Sequence, residues 1–170
     1  MTRIVIEDAK LLFRNFSGNP DRFSRGEKVR PNTNVTLSPQ IAEKLRELGA
    51  NVREPKADPE REGMDLDAFV KVQFNYSGRS EPRVTMLMGD PEETPASRMP
   101  RQVLDKSTVG ILDTAEIVSA DLVVNTYQAP GSDRTTLYAD SMYVFVRPSP
   151  LDLKYGMFTA PDDDDDIEFV

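Results

Sequence analysis

The sequence predicts a mostly β protein, a small antiparallel barrel with one or two short helices, and three observations predict it. Residues 3–16, RIVIEDAKLLFRNF, read as a single strand, yet at ~3.3 Å per residue that strand would run to roughly 45 Å, more than twice the usual length. It must therefore bend. The parity says where: Ile4 and Ile6 share one face, and the apolar set then switches to Ala9, Leu11 and Phe13, as an extra residue near Glu7 or Asp8 causes. Further strand-like runs follow at residues 35–37, 68–76, 83–88, 121–128 and 135–147. Helical periodicity, by contrast, is confined to one segment and a short turn, too little to supply parallel crossovers.

Taken in order, residues 17–34, SGNPDRFSRGEKVRPNTN, are turn chemistry that continues neither a strand nor a helix. After a short second strand, Ser38 is placed to cap a helix with Pro39 in its first turn. Ile41, Ala42, Leu45 and Leu48 recur at helical spacing, and Gly49 closes it. Residues 53–66 are acidic, with few apolar side chains, and read as a loop. In the next strand Ala68, Val70, Val72, Phe74 and Tyr76 form the natural core face, opposite Phe69, Lys71, Gln73 and Asn75. Residues 83–88 point Val84, Met86 and Met88 inward, residues 89–100 are irregular, and residues 104–116 hold Val109, Ile111 and Leu112 in a helical turn that plugs one barrel end. The last two strands flank Ala-Pro-Gly-Ser-Asp as a hairpin. On the final strand neither parity is plainly polar, so pattern leaves its outward face open. Among such barrels the OB-fold best accounts for a long, bulged first strand. The barrel domain is expected at residues 1–150, with residues 151–170 as a flexible acidic tail.

Composition narrows the chemistry. Cysteine and histidine are both absent, which removes disulfides, thiolate nucleophiles, imidazole bases and the usual zinc ligands together. No enzyme activity, cofactor or metal site is expected. No apolar run approaches the ~20 residues of a membrane span and no signal-peptide pattern opens the chain, so a soluble, intracellular protein without a membrane partner is expected. The net charge of −8 argues at first against a polyanionic partner. Asp162, Asp163, Asp164, Asp165, Asp166 and Glu168 carry most of it, however, and without them about −2 remains. The first thirty residues are locally basic.

That basic segment sets cations and rings side by side. Lys10, Arg14 and Phe16 lie on the parity of the first strand that the core does not claim. Arg22, Phe23, Arg25, Lys28 and Arg30 follow in the loop, and Phe69 and Lys71 lie on the outer parity of the third strand. Arg79 follows in the next turn, and Tyr76 and Tyr127 join them more weakly. Each side chain alone reads as surface charge or core ring; together they suit a surface that stacks bases and tracks phosphates of a single strand without reading sequence.

The tail, PDDDDDIEFV, is a run of like charges that resists folding, ended by Ile167, Glu168, Phe169 and Val170. Such an arm can dock its terminal apolar side chains in a partner's pocket, or lie over the protein's own basic groove and compete with DNA.

Three stretches, IEDAKLLFRNFSGNPDRF, VGILDTAEIVSADLVVNTY and LYADSMYVFV, make the chain resemble the OB-fold single-stranded DNA-binding proteins of tailed bacteriophages over most of its length. The tail resembles the acidic C-terminus of bacterial single-stranded DNA-binding proteins, with Ile-Glu-Phe-Val standing where those end in Ile-Pro-Phe. The resemblance implies a non-sequence-specific protein, in the cytoplasm of an infected bacterial host, that coats and protects single-stranded DNA during phage replication, repair or recombination. It also implies replication or recombination proteins as partners of the tail; a homo-oligomer is compatible with it. The competing expectation is an interaction or virion structural β-barrel module without nucleic-acid binding, to which the overall negative charge and loop-rich composition point.

Overall fold

The computed structural model describes residues 2–55, 67–78, 80–149 and 151. Arg79, most of the acidic loop after Glu54 and the tail residues Asp162 to Val170 lie outside the described residues, and with them the flexibility expected of the tail.

The first strand does what its length demands. It forms β1 (Arg3–Ala9) and β2 (Leu11–Asn15), two halves of one bent run. Ile4, Ile6 and Ala9 are buried, the pairing register slips between Ile6 and Ala9, and Asp8 takes a left-handed φ of 53°, which is the bulge expected near Glu7 or Asp8. The Asp121 carboxylate holds the bulge by accepting the Asp8 amide at 2.8 Å.

A second irregularity was not legible in the pattern. Phe13 sits at φ 49° and the register of β2 slips between Leu12 and Asn15. Each slip of one residue exchanges the two faces of a strand, so Phe16 ends in the core, 1% exposed, while Phe13 stands 73% exposed. The expectation that Phe13 is inside and Phe16 outside is therefore reversed.

The remaining elements are β3 (Asn32–Thr36), α1 (Pro39–Glu47), β4 (Phe69–Gln73), β5 (Arg83–Met88), β6 (Arg101–Leu104), β7 (Ile117–Gln128) and β8 (Thr135–Val146). The protein is mostly β, and α1 is the helix its sequence predicts. The Ser38 hydroxyl caps α1 by accepting the Ile41 amide, and the helix covers the sheet with Ala42 and Leu45. Gly49, at φ 89°, ends it against the β7–β8 turn; a Cβ there would come within 2.8 Å of the Asp133 carbonyl oxygen. The strand β6 was not expected. Only Leu104 of its four residues is buried, because it flanks β5 as an outer strand and has no face pattern to betray it.

Hydrogen-bonded neighbours run β1–β7–β8–β4–β3–β2. No ladder joins β1 to β2 among the described strands, so the sheet is not closed by hydrogen bonds; the chain itself, through Lys10, links its two ends. Since β1 and β2 are one strand, the path is a ring of five. Strands that alternate in direction cannot close an odd ring, so one junction must be parallel. It falls between β4 and β8, where Gln73 pairs with Tyr138, and it continues as the parallel β5–β8 ladder from Arg83 beside Ser141 to Met88 beside Val146. The sheet is mostly antiparallel, as expected, and its parallel neighbours arise from ring closure, with no crossover helix among the described residues. The other ladders are antiparallel.

A bulge also settles the outward face of β8. Val123 pairs with Ser141 but Val124 with Ala139, leaving Asp140 as the extra residue. Leu137 and Ala139 are buried before it, Met142, Val144 and Val146 after it, so the core takes one parity and then the other.

Inside the ring, Phe16 meets Phe74 edge to face with centroids 5.2 Å apart. One end is stopped by a 3-10 turn, Val109–Asp113, which buries Val109 and Leu112, the plug expected there. Arg14 and Asp113 fasten it to β2: the guanidinium donates to the carbonyls of Leu112 and Ala115 at 2.9 and 2.5 Å, and the carboxylate accepts the Phe16 and Ser17 amides at 2.5 and 3.1 Å. Phe16→Ala is expected to cost about 3–5 kcal/mol in urea unfolding, the usual cost of emptying a buried phenylalanine site, and Phe13→Ala no more than about 0.5 kcal/mol; the opposite ranking would restore the single-bulge register.

Candidate nucleic-acid interface

The outer face of β4 follows from simple alternation. Val70 and Val72 point into the core, which leaves Phe69, Lys71 and Gln73 on the other side. Phe13, turned out by its bulge, packs on Phe69 with centroids 6.0 Å apart and planes at 55°. At the other end of the row, Gln73 and Tyr138 face each other across the parallel junction. Arg30 bridges them: its guanidinium donates to Gln73 Oε1 at 3.2 Å and to the Tyr138 hydroxyl at 3.0 Å, and its carbon lies 5.5 Å from the Tyr138 ring centroid. Tyr127, half exposed on β7, meets Tyr138 edge to face at 6.4 Å.

The surface thus runs from Phe13 and Phe69, through Lys71 and Gln73, to Arg30, Tyr138 and Tyr127. Rings with free faces offer stacking platforms, and cations between them offer phosphate contacts. Lys10 is exposed at the junction of β1 and β2, with its amide held by the Thr36 hydroxyl at 2.8 Å.

The loop between β2 and β3 carries Arg22, Phe23, Arg25 and Lys28, all exposed. Its base is fixed by the Val29 amide donating to the Gly18 carbonyl at 3.1 Å and by the Asn15 side chain, which donates to the Asn19 carbonyl and accepts the Asn19 amide. At its tip the Asp21 carboxylate accepts the Phe23 amide, and Phe23 stands 82% exposed with the Arg22 guanidinium 5.4 Å from its ring centroid. Ion pairs of the described residues engage Arg3, Arg46 and Arg147, and none engages Lys10, Arg22, Arg25, Lys28 or Lys71.

Three expected contacts are corrected. Phe16 is in the core. Arg14 is half-buried and spends its guanidinium on the plug. Tyr76 is buried as well, 9% exposed, and its hydroxyl has no hydrogen-bond partner among the described residues. Arg79 lies outside the described residues, as do Asp162, Asp163, Asp164, Asp165, Asp166, Ile167, Glu168, Phe169 and Val170. Two ring positions were missed, Phe13 and Tyr138. Each lies on a strand whose parity a bulge exchanges, and nothing in the local pattern marks those bulges.

Comparison with protein families now bears on this face. A family model described as "Putative phage ssDNA-binding domain" matches residues 1–169. The chain belongs to this family. Its description is one of binding single-stranded DNA, not of an enzymatic activity, and the match spans the bent strand, the ring and the loop that flanks the basic face. A comparison with curated proteins finds no match. As a phage ssDNA-binding domain the protein needs exposed rings and cations on one accessible surface, and the face over β4 and β8 has both. No helix among the described residues is long and apolar enough to cross a membrane.

Burial of Tyr76 also has a consequence at high pH. Desolvation, with smaller contributions from Glu81 and Asp105, pushes its phenol up to about 12. The neutral form is favoured in the folded state, so the stabilisation is complete below the unfolded value near 10 and is lost as pH rises from there to about 12. Tyr76→Phe, which removes an unpartnered hydroxyl, is expected to leave stability at pH 7 unchanged or slightly raised. It should also flatten the fall in thermal midpoint between pH 9.5 and 11.5; a steeper fall than wild type would contradict a buried phenol.

Proposed function

We propose that the protein coats single-stranded DNA without sequence preference, protecting it during phage DNA replication, repair or recombination in the cytoplasm of the infected host. The single observation that carries this reading is the interleaving of rings and cations over β4 and β8. Bases stack on Phe69, Phe13, Tyr138 and Tyr127 while Lys71, Lys10 and Arg30 neutralise the phosphates between them. The loop bearing Arg22, Phe23, Arg25 and Lys28 lies at the edge of this path and closes over the strand. Stacking and charge neutralisation tolerate any base, because every base has a π-face and every nucleotide a phosphate. The chemistry is physical and calls for no cofactor.

The acidic tail has two roles in this reading. Its aspartates compete with DNA for the cations, and Ile167 and Phe169 dock replication or recombination proteins. Glu168 and Val170 stand against a simple transfer of the bacterial docking mode, since Phe169 no longer carries the terminal carboxylate.

Fluorescence anisotropy with labelled oligo-dT tests both parts. Binding should weaken steeply with KCl and tighten when residues 162–170 are deleted; absence of binding by the tail-less form at low salt ends the reading. Phe69→Ala and Phe23→Ala should each weaken binding by ~1–3 kcal/mol, the usual loss for one base stack, with little change in salt dependence.

A further inference from the structure

The parallel junction between β4 and β8 consists of the one pair Gln73 and Tyr138. Beyond it the two strands are no longer paired, and the chain that follows α1 crosses the opening. Ala50 bridges to Thr135 at the start of β8, and Arg53 bridges to Phe69 at the start of β4, with mutual backbone hydrogen bonds of 2.8 and 3.0 Å. The Thr135 hydroxyl donates to the Leu48 carbonyl and the Thr135 amide to the Gly49 carbonyl, so the crossing segment is pinned at both ends. What remains is a groove lined by Asn51, Arg53, Lys71, Gln73, Arg134, Thr135 and Thr136 over the apolar floor of Val70 and Leu137.

Its chemistry is one-sided. Arg53, Lys71 and Arg134 are exposed cations from three separate elements, and none makes a side-chain hydrogen bond or ion pair among the described residues. Among the described residues no carboxylate lines the groove. Uncompensated cations gathered around amides and threonine hydroxyls form an environment for an anion with several acceptor oxygens. The groove is also continuous with the stacking face, because Lys71 belongs to both and Gln73 carries Arg30 on its other side.

We propose that this groove is a phosphate-binding subsite for the DNA backbone, in which Arg53 and Arg134 neutralise the phosphates that follow the nucleotide stacked at Tyr138. The inference rests on the reading of the face as a single-strand path and fixes where one end of that path leaves the sheet. Neither arginine stood out in the sequence. Arg53 opens an acidic loop and Arg134 closes a hairpin turn, and only the pinned segment brings them to one opening.

The test is a KCl titration of oligo-dT binding by the full-length protein. Each phosphate contact on a single strand contributes a slope of about 0.7 in log K against log salt. The double variant Arg53→Gln/Arg134→Gln should therefore lower the slope by about 1.4, while Arg53→Lys/Arg134→Lys retains it. Thermal midpoints of both should match wild type, because the two side chains hold no side-chain partner among the described residues. Arg101→Gln, on the outer strand β6, should leave the slope unaltered. A wild-type slope in the double glutamine variant, or an equal drop in Arg101→Gln, overturns the subsite while the functional reading stands. A wild-type protein that does not bind oligo-dT takes both down.

Discussion

The fold depends on one strand having two sets of neighbours. β1 pairs with β7 and β2 pairs with β3, and the chain passes from one set to the other across Lys10. A regular strand cannot do this, because its side chains would keep one parity while the surface they face turns over. The bulges at Asp8 and Phe13 solve the problem locally: each inserts a residue, bends the run and exchanges its faces. Left-handed backbone at non-glycine residues is uncommon and costs free energy. The packing of Phe16 on Phe74 and the capture of the Phe16 amide by Asp113 are what hold the second bulge in place.

The same constraint creates the surface proposed for binding. A five-membered ring forces one parallel junction, and a junction of a single pair is narrow enough to leave β4 and β8 splayed beyond it. Phe13 becomes a surface ring because Phe16, three residues later, takes the core position. Stability and the proposed binding therefore draw on the same irregularities. Cations that fasten the structure, Arg14 on the plug and Arg3, Arg46 and Arg147 in ion pairs, are separate from Lys10 and Lys71 by the stacking face, which make no ion pair among the described residues. An acidic protein can in this way present a basic surface, since its negative charge is concentrated in the tail and in the loop after α1.

Much of this was legible in residue order. The length and first parity switch of residues 3–16 called for a bulge, the Ser38–Pro39 start and Gly49 end called for one helix, and Ala-Pro-Gly-Ser-Asp called for the last hairpin. All three are present. Alternation failed wherever a second irregularity intervened, at Phe13 and at Asp140, because a pattern of period 2 carries no memory of which face it began on. It failed at β6 for a different reason: a strand with one buried residue has no pattern. Tyr76 was assigned to the inner parity and still weighed as a contact, and the inner parity proved decisive.

The sequence by itself determined the class of structure, the position of the first bend, the helix, the hairpin and the segregation of charge. These follow from local chemistry: side-chain alternation, capping, turn residues and like-charge repulsion act over a few residues. Tertiary structure alone decided which rings reach solvent, where the sheet meets itself in parallel, and which cations share an opening. Those are properties of closure, and closure is set by the register between strands far apart in the chain.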